Sequence, residues 1–301
     1  GALFMAIQAF SQAGASIASQ FLGAERKRQA GVTQSMVLAG SLLLGIAITL
    51  IVIPLANQII SWMGLTGEAA KHAKDFLHIV SFGFAFRSLQ TTLTALIATH
   101  GLTIWNLFGN IFTILSNFVL NIVFLNGLFG LPKMGVVGVA LATMLSWLIS
   151  SFILFLVLHF KIQHRFKRSD WVRFRIILPD WIRIGLPAAA EPVSFQLFQV
   201  FLTAMVVHFG TLAITARVFS ANFAMFAVIL SVGLGSGNQI LVAHLVGAQD
   251  FKKANKRVHQ SLLGSCLGAM FISIIVAICG THLLSLYTNN SDILKLGYIC
   301  L

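Results

Sequence analysis

The sequence predicts an all-α integral membrane protein, a polytopic helix bundle of two six-helix lobes with the second lobe truncated. Three observations predict this class: scarce charge, a series of long apolar segments, and an internal repeat. Hydrophobic residues make up 57% of the 301 residues, whereas Asp, Glu, Lys and Arg together make up only 9%. Soluble domains contain about 25% charged residues, so this composition excludes a water-soluble globule, a disordered chain and a disulfide-rich scaffold.

The cations indicate the sidedness of the chain. The formal net charge is +12, with 20 Lys and Arg against 8 Asp and Glu. In a soluble domain this excess would indicate nucleic-acid binding. Here most cations fall into three clusters separated by apolar stretches, as the positive-inside rule describes for cytoplasmic loops. We therefore predict no nucleic-acid partner and assign three segments to the cytoplasm: 23–31, 160–180 and 247–257.

Eight apolar segments are long enough to span a membrane as helices, because a span needs about 20 mostly apolar residues. They lack the period-two alternation of membrane strands. A ninth segment begins near Ile293. The eight predicted spans are 1–22, 32–56, 76–99, 105–129, 135–159, 181–209, 214–246 and 256–283. Four spans separate the first two cytoplasmic segments and two separate the next pair, and both numbers are even, as the topology requires.

An internal repeat predicts the two lobes. The stretch SQFLGAERKRQAG at 19–31 resembles AHLVGAQDFKKAN at 243–255, and six predicted spans lie between equivalent points. An even number of spans gives both copies the same orientation, which is a parallel repeat about an axis along the membrane normal. The alternative is that both stretches merely share a hydrophobic composition. The repeat predicts an N-terminal lobe at 1–159, a basic cytoplasmic linker at 160–180 and a C-terminal lobe at 181–301.

Four stretches resemble characteristic helices of the multidrug and toxic compound extrusion (MATE) family. The resemblance extends from the family's second helix into its tenth, so that 1–159 corresponds to helices 2–6. It implies that the first helix and the C-terminal helices lie outside this sequence. The stretches are FSQAGASIASQFLGAERKRQA at 10–30, LPKMGVVGVALATMLS at 131–146, IGLPAAAEPVSFQ at 184–196 and GSGNQILVAHLVGAQD at 235–250.

The resemblance implies secondary-active efflux of small organic, often cationic, compounds in exchange for Na⁺ or H⁺. It also implies alternating access between the two lobes and a location in the plasma (inner) membrane. The expected partners are membrane lipid and the transported compounds, the coupling ion replaces any cofactor, and we expect a monomer.

Glu191 is the acidic residue that lies inside an apolar segment, where a carboxylate is costly and marks a functional site by default. Pro187 and Pro192 flank it. Pro192 lacks an N–H, so the carbonyl of Ala188 loses its helical partner, and we expect a helix bend facing a cavity. The resemblance implies a coupling role for this glutamate. The alternative places Glu191 near the cytoplasmic membrane surface, solvated or paired with Arg183.

Asn117 and Asn121 are four residues apart and therefore lie on one face of a helix. The resemblance implies that they form a cation pocket together with Thr143. The family carries Asp or Asn at the position of Asn121. Asn121 departs from the Asp version, and a neutral amide cannot take up a proton. The alternative role for these residues is interhelical hydrogen bonding.

Other polar residues within the spans are candidates for a cavity. Arg87 lies deep in its span, where we expect it to pair inside the bundle, whereas Arg217 is expected to extend towards the outer surface. Three glutamines are further candidates to line the cavity: Gln20, Gln196 and Gln239.

Two other functions compete with efflux. A flippase for lipid-linked oligosaccharides or polysaccharides would be expected to carry several cations in its central cavity, and only Arg87 lies deep in a span. An integral-membrane enzyme acting on lipids would need clustered His, Asp or Ser at one depth. We find no enzyme signature and predict no enzymatic activity, and no metal site beyond a Na⁺ site.

Overall fold

The computed structural model describes residues 2–62, 66–162, 174–207 and 211–285. Within these ranges the chain is helical and contains no strand, which confirms the predicted all-α class. A short 3₁₀ turn at Leu128–Gly130 follows the fourth helix. The eight helices are α1 Ala2–Gly23, α2 Lys27–Trp62, α3 Gly67–Thr99, α4 Thr103–Asn126, α5 Gly135–Phe160, α6 Phe174–Val207, α7 Thr211–Gly247 and α8 Phe251–Ser285.

Each predicted span corresponds to one of these helices, and several helices extend beyond the apolar segment. α3 begins at Gly67 rather than at 76, and α6 begins at Phe174, inside the predicted linker. Helix continues past the apolar segment because charged residues can form helix in water, where their side chains are solvated. Six helical stretches are long and apolar enough to cross a membrane: 27–62, 103–126, 135–160, 176–206, 228–247 and 251–278. The predicted ninth span lies outside the described residues.

The chain divides into two compact units within α6. The first unit runs from Leu3 to Ala190, and the second begins at Glu191. The sequence places the lobe border earlier, at 181, and the bounds of the lobes stay a prediction.

Small residues let the helices of the first unit approach closely. A Cβ added at Gly45 of α2 would lie 2.6 Å from the Ser88 Oγ and 2.8 Å from the Phe84 carbonyl oxygen of α3. At Gly14 of α1 an added Cβ would overlap the side chain of Val37 in α2. Such contacts between glycine and a neighbouring helix are typical of membrane bundles, where packing rather than the hydrophobic effect holds helices together.

Trp181 attaches the first half of α6 to the first unit. Trp181 is buried, with a side chain that is 7% exposed. Its Nε1–H donates to the Phe10 carbonyl oxygen at 2.8 Å, and the two rings meet edge to face with centroids 5.5 Å apart. The six-membered ring lies over Gly40, where a side chain would overlap it. A buried tryptophan needs a partner for its N–H, and this backbone carbonyl satisfies it.

The two repeat loops have the same backbone geometry. The amides of Ala24 and Ala248 donate to the carbonyls of Gln20 and His244, both at 3.0 Å. Equivalent backbone hydrogen bonds continue through both loops. The Arg26 amide donates to the Phe21 carbonyl at 2.9 Å, and the Asp250 amide donates to the Leu245 carbonyl at 3.0 Å. Glu25 and Gln249 both have a left-handed backbone, with φ of 59° and 60°. Equivalent residues therefore fold alike, as expected for a structural repeat rather than for shared composition alone.

The two loops differ in how the following helix is capped. Asp250 precedes α8, accepts the Lys253 backbone N–H at 3.0 Å, and forms an ion pair with the Lys253 Nζ at 2.6 Å. The hydrogen bond from the Lys253 side chain, followed by that from its backbone, lowers the pKa of the Asp250 carboxyl below its ordinary value of 3.8. Arg26 occupies the equivalent position before α2. A positive charge there destabilises the helix, because the helix N-terminus is itself the positive end of the helix dipole.

Removing the cap of α8 and adding one to α2 are therefore expected to change the stability in opposite directions. Asp250→Ala lowers the midpoint of thermal unfolding by about 2–4 °C, and Arg26→Asp raises it by a similar amount. Folding lowers the pKa of the Asp250 carboxyl below 3.8. The stabilisation that the carboxylate gives to the folded protein is therefore present above pH 3.8 and is lost as pH falls through the pKa of the folded state. Thermal unfolding of the purified protein measures both changes. If Asp250→Ala lowered the unfolding midpoint equally at a pH at which the Asp250 carboxyl of the wild type is fully protonated, the cap would not depend on the charge of Asp250.

Candidate cation site

A chain of hydrogen bonds connects the predicted cation-pocket residues of α4 and α5. The Asn121 Nδ2 donates to the Asn117 Oδ1 at 3.0 Å, and the Asn117 Nδ2 donates to the Thr143 Oγ1 at 3.4 Å. The Thr143 hydroxyl donates in turn to the Val139 carbonyl oxygen at 2.9 Å. All three side chains are partly buried within the first unit. The structure thus brings Asn117, Asn121 and Thr143 together.

The direction of these bonds leaves one oxygen uncommitted. Each side chain in this series donates to the next, and Asn121 stands at its start. The buried Asn121 Oδ1 therefore receives no hydrogen bond from any described residue. A buried acceptor without a donor is costly, by about 1–3 kcal/mol. Amide oxygens and hydroxyls are ligands that hard cations prefer. The geometry therefore suits a cation at the Asn121 carbonyl oxygen, with Asn117 and Thr143 beside it.

A second polar network lies next to this cluster and centres on Gln90, which is 2% exposed. Its Nε2 donates to the Thr113 Oγ1 at 2.8 Å and to the Ser150 Oγ at 3.0 Å. Its Oε1 accepts a hydrogen bond from the Arg87 Nη1 at 2.7 Å. Thr113 lies one helical turn before Asn117 on the same face of α4. Sequence reasoning missed Thr113 and Ser150, because single hydroxyl residues are common in membrane helices and carry no motif.

Glu191 lies in the second unit and has an exposed side chain. α6 is one continuous helix from Phe174 to Val207 and passes through both Pro187 and Pro192. The Asn117–Asn121–Thr143 cluster, in the first unit, does not include Glu191. The coupling role of this glutamate and the helix bend both stay predictions.

The remaining candidates occupy different surroundings. The Arg217 guanidinium donates to the Thr203 hydroxyl and, at 2.8 Å, to the Gln199 Oε1, and its position near the outer surface stays a prediction. These bonds hold α7 against α6. Gln20 and Gln196 are partly buried and Gln239 is exposed. Across the described ranges, no group of three His, Cys, Asp or Glu side chains could hold a metal ion.

The chain matches a family model and is similar to transporters of Bacillus subtilis. A family model described as MatE matches residues 1–123 and 187–301. The chain is 29% identical to the uncharacterized transporter YisQ of Bacillus subtilis and covers 61% of it; 92% of the chain is matched. It is 28% identical to the probable multidrug resistance protein NorM of the same organism, with 93% of the chain and 63% of the relative covered. The chain thus spans less than two thirds of the length of these relatives.

Solved structures show the same fold. A MATE transporter crystallised in complex with MaL6 superimposes with a TM-score of 0.89 at 19% identity, covering 99% of this chain and 66% of that one. A MOP superfamily transporter from Pyrococcus furiosus gives a TM-score of 0.85 at 18% identity, with the same coverage. Together with the family match over most of the sequence, these similarities show that the chain belongs to the MATE family of multi-pass inner-membrane transporters.

Proposed function

We propose that the chain forms the larger part of a secondary-active exporter of small organic compounds. Relatives whose names describe multidrug resistance or export support this function, among them NorM of Bacillus subtilis and MepA of Staphylococcus aureus. In this proposal the two parallel repeats alternate in access to the substrate, and inward flow of Na⁺ or H⁺ drives export.

The observation that carries the coupling proposal is the buried Asn121 Oδ1, which lacks a donor among the described residues. A bound Na⁺ would satisfy this oxygen and would take the Asn117 and Thr143 oxygens as neighbouring ligands. Because the cluster contains amides and a hydroxyl, it can bind Na⁺ but cannot store a proton at neutral pH. A carboxylate at the same place could do both.

Glu191 supplies the other possible coupling position. Its carboxylate can take up and release a proton, and it lies in an otherwise apolar part of α6. The two positions therefore correspond to two coupling ions: Na⁺ at the Asn117–Asn121–Thr143 cluster and H⁺ at Glu191. Variants at each position separate the two.

Dye transport by the full chain in proteoliposomes tests the proposal. We expect an imposed Na⁺ or proton gradient to drive uptake of a cationic dye against its concentration. Glu191→Gln, which keeps the shape but removes the titratable group, should abolish proton-driven transport, because the amide cannot be protonated at neutral pH. Transport by Glu191→Gln at the wild-type rate would contradict the role of Glu191, and failure of both gradients would contradict ion-coupled export.

Glu25→Gln is the matched control. Glu25 is an exposed carboxylate in the first repeat loop, outside the apolar segments. The same loss of one acidic group should leave proton-driven transport within about twofold of the wild-type rate, because exposed surface groups contribute little.

A further inference from the structure

Arg87 places a positive charge inside the first unit, in the predicted third span. It lies 20 residues after the first residue of α3 and 12 before the last. The guanidinium carbon is 4.2 Å from the ring centre of Phe4 in α1 and 5.6 Å from that of Trp147 in α5. Three helices therefore converge on this cation. A charged residue at such a position in an apolar span is costly and indicates a functional role.

The guanidinium has more donors than the surrounding residues use. The guanidinium has five N–H groups. One of them, on Nη1, donates to the Gln90 Oε1, and this is the one hydrogen bond that the Arg87 side chain makes to a described residue. No described Asp or Glu lies within ion-pair distance of it. The rings of Phe4 and Trp147 attract the cation through their faces but offer no acceptor. Arg87 also keeps part of its surface exposed, so an acceptor from beyond the described residues can reach it.

The surrounding residues hold Arg87 in a defined position. At Gly83, one turn earlier on α3, an added Cβ would lie 3.0 Å from the Trp147 ring, so glycine makes room for the indole beside Arg87. On the other side, Gln90 is held by Thr113 and Ser150. Fixed partners reduce the entropy that a flexible arginine would lose on binding, so the arrangement is preorganised for a ligand.

Arg217 in the second unit shows the contrasting case. Its Nη1 and Nη2 both donate to side chains of α6, Thr203 and Gln199. Its hydrogen bonds connect two helices of one unit, which is a structural role. Arg87 instead combines one hydrogen bond with two aromatic rings, the arrangement that an aromatic anion would complete.

We propose that Arg87 binds the anionic group of an amphipathic aromatic compound, a carboxylate, sulfonate or phosphate, while Phe4 and Trp147 contact its apolar body. The inference rests on the proposed export function, which makes the substrates small molecules, and adds that aromatic compounds with an anionic group are among those bound. A carboxylate or phosphate accepts two parallel N–H bonds from one guanidinium, a geometry that lysine cannot supply.

Two dyes with the same xanthene core test the charge preference, fluorescein as the anion and rhodamine 6G as the cation. Fluorescence polarisation measures their binding to the full chain in nanodiscs of zwitterionic lipid, with empty nanodiscs as the blank. Arg87→Gln should raise the Kd of fluorescein at least about tenfold, because a charge-assisted pair is lost. The Kd of rhodamine 6G should stay within twofold. Arg87→Lys should give an intermediate Kd for fluorescein, because it keeps the charge without the fork.

Arg217→Gln is the matched control, and both dyes should bind it as they bind the wild type. An unchanged fluorescein Kd in Arg87→Gln would overturn the proposal, as would an equal loss for both dyes, which would indicate a structural role. Displacement of fluorescein by phosphatidylglycerol added to the nanodiscs would overturn it in favour of a lipid headgroup. Wild-type protein that binds and transports rhodamine 6G but does not bind fluorescein would also refute the anion site, while the export function would stand.

Discussion

Replacing Asn121 by leucine is expected to abolish the response of the protein to Na⁺. The buried Oδ1 of Asn121 is the oxygen of the Asn117–Asn121–Thr143 cluster that lacks a donor among the described residues, and it is the first ligand of the proposed Na⁺ site. Leucine has the same branched shape with the same number of heavy atoms, but it offers no oxygen. The affinity for Na⁺ should fall at least about tenfold, which corresponds to about 1.4 kcal/mol. Thermal unfolding at increasing NaCl, with choline chloride holding ionic strength constant, measures the change.

The stability of Asn121→Leu without Na⁺ separates this effect from misfolding. The substitution removes one buried acceptor that lacks a donor, but it also removes the donor that Asn121 supplies to the Asn117 Oδ1. The number of unsatisfied acceptors in the cluster therefore stays at one, and the Na⁺-free unfolding midpoint should change little. A large drop in this midpoint would instead indicate that the cluster mainly connects α4 to α5, the alternative role of these asparagines.

Asn121→Asp should act in the opposite direction. A carboxylate adds a full negative charge at the same position, and even in a medium of dielectric constant about 20 a charge pair at 4 Å is worth about 4 kcal/mol. The Na⁺ affinity should rise at least about tenfold, and proton binding should compete with Na⁺. Asn126→Leu, on the exposed side of the same helix, is the control and should leave the Na⁺ response unchanged.

The sequence predicted the helices and the Asn117–Asn121 pair because both depend on local periodicity. Apolar segments of the required length located every described span, and a spacing of four residues placed the two asparagines on one face. The spacing could not show the direction of the hydrogen bonds that leaves the Asn121 Oδ1 free. That direction depends on Thr143, which approaches from α5 and itself donates to its own helix.

Arg87 and Trp181 show where prediction from sequence is incomplete. The pattern placed Arg87 deep in a span, but its neighbours Phe4 and Trp147 come from helices distant in sequence. Trp181 lies at the end of an apolar segment, where aromatic residues favour the membrane interface. Its burial depends on Gly40 and on the Phe10 carbonyl that accepts its indole N–H, neither of which any local pattern connects to Trp181. Contacts of this kind become visible only once the helices are packed.

Trp181→Ala is expected to cause the largest loss of stability among substitutions in the first unit, about 3–5 kcal/mol in the free energy of unfolding. The loss combines the cavity left by a 7% exposed indole with the missing edge-to-face contact to Phe10. Trp181→Phe keeps an aromatic ring but removes the N–H that donates to the Phe10 carbonyl, and should lose about 1–2 kcal/mol. Denaturant unfolding of the purified protein in detergent measures both values.

Trp62→Ala is the control, because Trp62 is 84% exposed at the end of α2 and should change the free energy of unfolding by less than about 0.5 kcal/mol. Gly40→Ala tests the contact itself, since its Cβ would overlap the Trp181 ring. Alone it should cost about 1–3 kcal/mol through overpacking. In the Trp181→Ala background the same methyl group enters the cavity, and its cost should vanish or become a gain. Additive effects of the two substitutions would show that Trp181 does not pack on Gly40, and that another contact attaches the first half of α6 to the first unit.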